Sequence, residues 1–332
     1  MGIQGKTEFP RGMLHEGKLK HRVAMLSVAS NGLLVGLKLV VGLLTGSVSI
    51  LSEAAHSGMD LLAAVIAAVA VKGAARPADA GHPFGHGKFE NLSGALEALL
   101  IVVAAFLIGM ESVGKLLHGV QLDHLEAGLG VMALSVVLNT VVSRKLMSVA
   151  RQTESIALEA DAMHLKTDVW TSAGVLGSLA TIYLSDLLVK DPQANIRFHA
   201  LDPLVALLVA ALILRAAWDL LRRSLEGLLD RPLPGEEDEA IREILSSHHE
   251  GFLEFHELRH RRAGPERHID LHLVVSPEAR VDSVHELCDS IEDEIRLRLP
   301  RAKVLIHVEP CSREDCPRCK ARTKCERQDA GC

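Results

Sequence analysis

Two His-x3-Asp pairs, His56 with Asp60 and His164 with Asp168, sit inside stretches that are otherwise apolar. A spacing of four puts both members of a pair on one helix face, about 6 Å apart. Ionisable side chains at membrane depth are costly, about 2.5–3.5 kcal/mol for an acid on insertion scales, so they rarely stand idle. Two such pairs on different helices can converge as two imidazoles and two carboxylates. Four nitrogen and oxygen donors suit a tetrahedral Zn²⁺, and the two carboxylates cancel its charge. A local hydrogen bond on the helix surface, or a polar network in a helix bundle, explains one pair more easily than two copies. The spacing is not that of a His-Glu-x2-His hydrolase, and four protein donors leave no open position for a catalytic water. The chemistry points to carriage of a metal, and no enzymatic activity is expected.

Elements of a particular kind are needed to hold such residues. A helix crosses a hydrocarbon core of ~30 Å with about 20 residues. Six apolar stretches of that order occur, at 23–46, 48–71, 90–115, 123–147, 158–187 and 201–225. Lys6, Arg11, Lys18, Lys20 and Arg22 precede the first stretch, and Lys72, Arg76 and Lys88 follow the second. Arg144, Lys145 and Arg151 lie after the fourth, and Arg222, Arg223 and Arg231 after the sixth, whereas the other side offers only Lys115, Lys190 and Arg197. The positive-inside rule then places both termini in the cytosol. No signal peptide is expected, because the first 22 residues are polar. A mean hydropathy of +0.21 in 332 residues fits a chain that is part bilayer and part aqueous. The net charge of −6 offers no basic face for nucleic acid.

After Pro232 the pattern becomes that of a small soluble domain. An acidic-started helix is expected over 235–248 and strands over 252–261 and 267–275, with Ala263-Gly264-Pro265 turning between them. A helix over 281–298 and a strand over 302–308 complete an αββαβ order, for which ferredoxin-like packing is the simplest fold. The expected domains are an N-terminal segment 1–22, a six-helix transmembrane domain 23–226, a cytosolic α+β ferredoxin-like domain 227–310 and a flexible tail 311–332.

Ser52-Glu53-Ala54-Ala55-His56-Ser57-x2-Asp60, His82-Pro83-Phe84-Gly85-His86-Gly87-Lys88-Phe89-Glu90 and Ala160-Asp161-x2-His164-x3-Asp168 are specific runs. Through them the chain, over about residues 20 to 311, resembles the cation diffusion facilitator family. The resemblance implies a transport site at His56, Asp60, His164 and Asp168, of the ligand type that goes with zinc. It also implies a second metal site at Asp79, His82 and His86, whose spacings of three and four can gather three ligands in the loop after the second helix. The alternative for that loop is a tight turn made by Gly81, Pro83, Gly85 and Gly87, with solvated histidines. In the soluble domain the resemblance implies a regulatory binuclear zinc site near His256, His272, His285, His307 and Glu309, where most such members have Asp at the last position. It further implies a homodimer paired through that domain. The short link between the fourth and fifth helices lacks the His-rich loop of eukaryotic zinc members, which suggests a bacterial protein of the inner membrane.

The remaining features are read from the residues themselves. Lys88 and Asp230 can pair to link the membrane and soluble parts. The other histidines, His248, His249, His260 and His268 among them, are expected to be solvated. Cys316-Pro-Arg-Cys319, flanked by Cys311 and Cys325, is either a thiol clip for a soft metal or a tail of free thiols. Gly81-x5-Gly87-Lys88-Phe89 fails as a phosphate loop on spacing and lacks the following Ser or Thr, so no ATP site is expected. Metal binding needs neutral imidazoles and ionised carboxylates, hence it competes with protons, which are the expected counter-ion. The expected function is therefore efflux of Zn²⁺ in exchange for H⁺. Mn²⁺, Fe²⁺, Co²⁺ or Cd²⁺ is the alternative cargo. A membrane-bound metal sensor or scaffold is the alternative class, although a scaffold has no use for intramembrane charges.

Overall fold

The computed structural model describes residues 11–45, 48–118, 125–188 and 201–311. They form two units, Met1–Leu225 and Glu226–Cys332. In the first, the described residues form six long helices: α1 (Arg11–Thr45), α2 (Val48–Ala74), α3 (Lys88–His118), α4 (Leu125–Thr153), α5 (Ile156–Leu188) and α6 (Leu201–Leu228). Even the shortest, α2 with 27 residues, is about 40 Å long at 1.5 Å per residue, enough to span a bilayer core. Among the described residues, α1 to α4 each contain a stretch apolar enough to cross a membrane. The apolar stretches at 158–187 and 201–225 fall on α5 and α6.

Composition explains how these helices pack. Small side chains line the contacts: Ala24, Ala63, Ala64, Ala67, Ala98 and Ala160 are all fully buried. Without a hydrophobic drive between helices in lipid, such residues let backbones approach closely. Large apolar groups face outward instead, among them Leu44, Val69, Phe106, Val141 and Trp218, as a lipid-facing surface requires. α2 packs on α1, α3 and α5, while α5 also meets α3 and α4. The two helices that bear the His-x3-Asp pairs are therefore neighbours.

The polar lead-in placed at 1–22 is helical from Arg11, because α1 begins there and runs for 35 residues. The extension has a buried anchor: Lys20 Nζ donates to Glu90 Oε1 of α3 at 2.6 Å. The second Glu90 oxygen accepts from Ser155 Oγ.

The second unit follows the αββαβ order that the sequence predicts: α7 (Gly235–Ser247), β1 (Glu254–Ala263), β2 (Glu266–Val275), α8 (Val281–Arg298) and β3 (Ala302–Pro310). The sheet order is β1-β2-β3, antiparallel between β1 and β2 and parallel between β2 and β3. Gly264, with φ 59°, permits the left-handed turn between β1 and β2. Ile269, Leu271, Leu273 and Val275 alternate along β2 onto one face and are buried with Ile241, Leu245, Ile291 and Ile295 of the two helices. The opposite face is left for polar side chains.

Two histidines expected in solvent are enclosed. His260 Nδ1 accepts the Leu233 N–H at 3.0 Å, and His260 Nε2 lies 2.8 Å from Asp238 Oδ1 of α7. His268 is also buried. Burial first, then the Lys303 and Arg261 charges, holds its imidazole below the usual range. His248 is partly covered and lies 3.2 Å from Ser290 Oγ, whereas His249 is exposed as expected.

Candidate metal centres

The helical repeat brings His56 and Asp60 to one face of α2, and the α2–α5 contact places that face against His164 and Asp168. One ligand atom each from His56, Asp60 and Asp168 lies within 4.8 Å of the other two. His164 Nε2 stands 3.0 Å from Asp60 Oδ1. Asp60 and His164 are buried, Asp168 is partly covered and His56 is exposed on the bundle surface. Three of the four residues singled out by spacing therefore gather, and His164 is joined to them through Asp60. Two carboxylates and two imidazoles at this range can surround a dication with borderline ligand preference.

Sequence reasoning passed over several polar groups that surround this centre. Lys38 Nζ, buried on α1, donates to Ser57 Oγ, next to His56, at 2.7 Å. Asp161 accepts from Ser27 Oγ at 3.1 Å, and Glu97 of α3 is buried completely. The signal that finds them is the one used for the His-x3-Asp pairs: a charge within an apolar helix.

The loop between α2 and α3 is both a tight turn and a ligand cluster. Asp79 Oδ1 accepts from the N–H groups of Gly81 at 2.9 Å and His82 at 2.7 Å. The His82 N–H foremost, with that of Gly81, holds the Asp79 carboxyl below the usual carboxylate range. Gly85 takes φ 92°, which brings the His82 and His86 ring centroids to 4.4 Å. One ligand atom from each of Asp79, His82 and His86 falls within 4.8 Å of the others. His86 is buried while its two companions are exposed.

In the second unit, strand register builds a row. His256 pairs with His272 across β1 and β2, and His272 with His307 across β2 and β3. The ring centroids follow at 5.3 Å and 4.8 Å, the spacing expected of side chains on adjacent strands. Glu309 is the common partner. Its carboxylate lies 2.9 Å from His272 Nδ1, 3.5 Å from His256 Nε2 and 3.6 Å from His307 Nε2. His256, His272 and Glu309 form the tightest group.

His285 does not join this row. It sits exposed on α8 with its Nε2 3.7 Å from Asp289, because the helices cover the apolar face of the sheet and the histidines occupy the polar one. Asp230 Oδ1 accepts from Arg261 Nη1 at 2.8 Å, and Lys88 opens α3 in the other unit. Cys311 is a free thiol, partly covered, while Cys316, Cys319 and Cys325 lie outside the described residues.

A bundle of long helices that carries a cluster of histidines and aspartates, followed by a small α/β domain, defines a metal-handling membrane protein. Residues 24–229 match the model of the cation efflux transmembrane domain, and residues 233–311 match that of the cation efflux protein cytoplasmic domain. The transporter sll1263 of Synechocystis sp. is 36% identical over 293 residues, which are 88% of this chain and 91% of its own length. The cation-efflux pump FieF of Salmonella paratyphi A is 30% identical over 296 residues, 89% of this chain and 94% of its own. A solved chain of the zinc transporter candidate CzrB, in its zinc form, is 43% identical over 24% of this chain and 92% of its own, with a TM-score of 0.23. The protein belongs to the cation efflux, or cation diffusion facilitator, family. It is a divalent-cation efflux transporter of the membrane, not an enzyme.

Proposed function

We propose that the chain exports Zn²⁺ from the cytosol in exchange for H⁺, and that His56, Asp60, His164 and Asp168 bind the ion in transit. The observation that carries this reading is the meeting of His56, Asp60 and Asp168 ligand atoms within 4.8 Å, with His164 hydrogen-bonded to the same Asp60. A set of two imidazoles and two carboxylates favours zinc over the harder Mn²⁺, which prefers oxygen. The ion enters from the cytosol, exchanges its water for these four groups and leaves when the helices tilt to open the other way. Protons compete for the same donors, so an inward proton gradient refills the emptied site and drives the return.

The other clusters serve regulation in this reading. Asp79, His82 and His86 form a second metal site. His256, His272, His307 and Glu309 hold regulatory zinc in a domain that pairs two copies of the chain. The domains are 1–22, 23–226, 227–310 and 311–332, with both termini cytosolic and the bundle in a bacterial inner membrane. Uptake into inside-out vesicles across a panel of Zn²⁺, Cd²⁺, Co²⁺, Mn²⁺ and Fe²⁺, with a pH dye inside, tests the assignment. Zinc-dependent proton release supports it; uptake that ranks Mn²⁺ first, or that moves no protons, counts against it.

A further inference from the structure

Behind the four-donor centre, three buried polar atoms have no hydrogen-bond partner among the described residues: Glu97 Oε2, Asp161 Oδ2 and His164 Nδ1. They come from two packed helices, α3 and α5. Glu97 is fully buried and Asp161 is 1% exposed. Each carboxylate uses its other oxygen, Glu97 Oε1 accepting from Ser93 Oγ at 3.0 Å and Asp161 Oδ1 from Ser27 Oγ at 3.1 Å. The two acids are in electrostatic reach of each other and of His164. Orphaned polar atoms inside a protein are expensive and are found paired directly or through a buried water.

The imidazole supplies the missing complement. His164 presents Nε2 to Asp60 at 3.0 Å, which leaves Nδ1 as the nitrogen on the far side of the ring. A metal-ligating histidine nearly always donates its second ring N–H to a carboxylate, a carbonyl or a water, and this fixes the tautomer and ring orientation. We infer that Glu97 and Asp161 are positioning residues for transport: they accept the His164 Nδ1–H through a bridging water and so turn the Nε2 lone pair toward the cation. When the site lacks a cation, the Nε2–Asp60 contact shares a hydrogen. Loading the cation therefore shifts the ring hydrogen to Nδ1, where these two carboxylates receive it.

This inference rests on His164 being a ligand of the transported ion, and the test separates the two claims. Zn²⁺ binding and flux are measured on the full chain for wild type, His164→Ala, Glu97→Leu and Glu97→Gln. Loss of an outer-shell partner costs about 10–100-fold in metal affinity. Glu97→Leu is expected to weaken Zn²⁺ binding and raise KM by about that factor with kcat little changed. Glu97→Gln, whose amide oxygen still accepts a hydrogen bond, restores both. Wild-type affinity in Glu97→Leu, or a Gln variant as impaired as the Leu variant, overturns the inference. Wild-type affinity in His164→Ala overturns the ligand assignment beneath it. Where the Leu variant fails to fold, ¹⁵N spectra of the wild-type protein loaded with Zn²⁺ decide: His164 protonated on Nδ1 supports the inference, and protonated on Nε2 contradicts it.

Discussion

His164 Nε2 and Asp60 Oδ1, 104 residues apart in the chain, meet at 3.0 Å in the middle of the helix bundle. The contact joins α5 to α2 and links the two His-x3-Asp pairs. His56 stands outside that bond, exposed at the edge of the cluster, so its contribution is the donor atom alone.

Replacing that donor changes the ion preference. His56→Asp exchanges a borderline nitrogen for a hard anionic oxygen. Competition uptake in vesicles is expected to show a broadened range that now includes Mn²⁺ and Cd²⁺. An unchanged metal ranking means that His56 does not set selectivity.

The sequence made this centre legible because two coincident signals, helical spacing and charge in apolar surroundings, both point to function. The αββαβ order was equally readable from the alternation of Ile269, Leu271, Leu273 and Val275 along β2. The pairing of His256, His272 and His307 in one row was not, since register between strands depends on long-range contacts that no local pattern reports. The same holds for His260, enclosed by Leu233 and Asp238 from a distant part of the chain. Lys20 reads as a surface charge before the first span, yet α1 extends far enough to bury it against Glu90.

That buried pair predicts a stability effect. Glu90 is fully buried, and the Lys20 side chain is 10% exposed. Removing one partner of a buried ion pair costs about 3–5 kcal/mol, because the other charge is left unpaired. Glu90→Gln and Lys20→Met are each expected to lower the thermal midpoint in detergent, and the double variant to recover much of the loss. Additive losses in the double variant argue that the two side chains do not act as a pair.

The histidine row predicts a regulatory phenotype. His272→Ala combined with His307→Ala removes two of the imidazoles around Glu309. Flux in proteoliposomes is expected to lose its dependence on zinc at the C-terminal domain while remaining measurable. A folded, dimeric variant with no flux at any zinc level places these residues in the transport path; an unchanged zinc dependence makes them ordinary surface groups.

His285 supplies a contrast within the same domain. Its place on α8, beside Asp289, predicts that His285→Ala changes the zinc affinity of the His256, His272 and Glu309 cluster by less than about threefold, well below the roughly tenfold (~1.4 kcal/mol) loss expected for a true ligand. Competition titration with a chelating dye measures this. A tenfold loss shows that His285 reaches a zinc ion after all, and the chain's pairing with a second copy then needs to be examined as its route.

The central claim is that the ion crosses through the α2–α5 centre, and zinc flux into proteoliposomes holding Asp60→Ala or Asp168→Ala tests it most directly. Each substitution removes one carboxylate from the shell and leaves the dication unbalanced, while an apolar side chain in a membrane helix favours insertion. Both variants are expected to insert at wild-type levels and to carry no zinc above empty vesicles. Zinc flux in Asp168→Ala equal to that of the wild type contradicts the account.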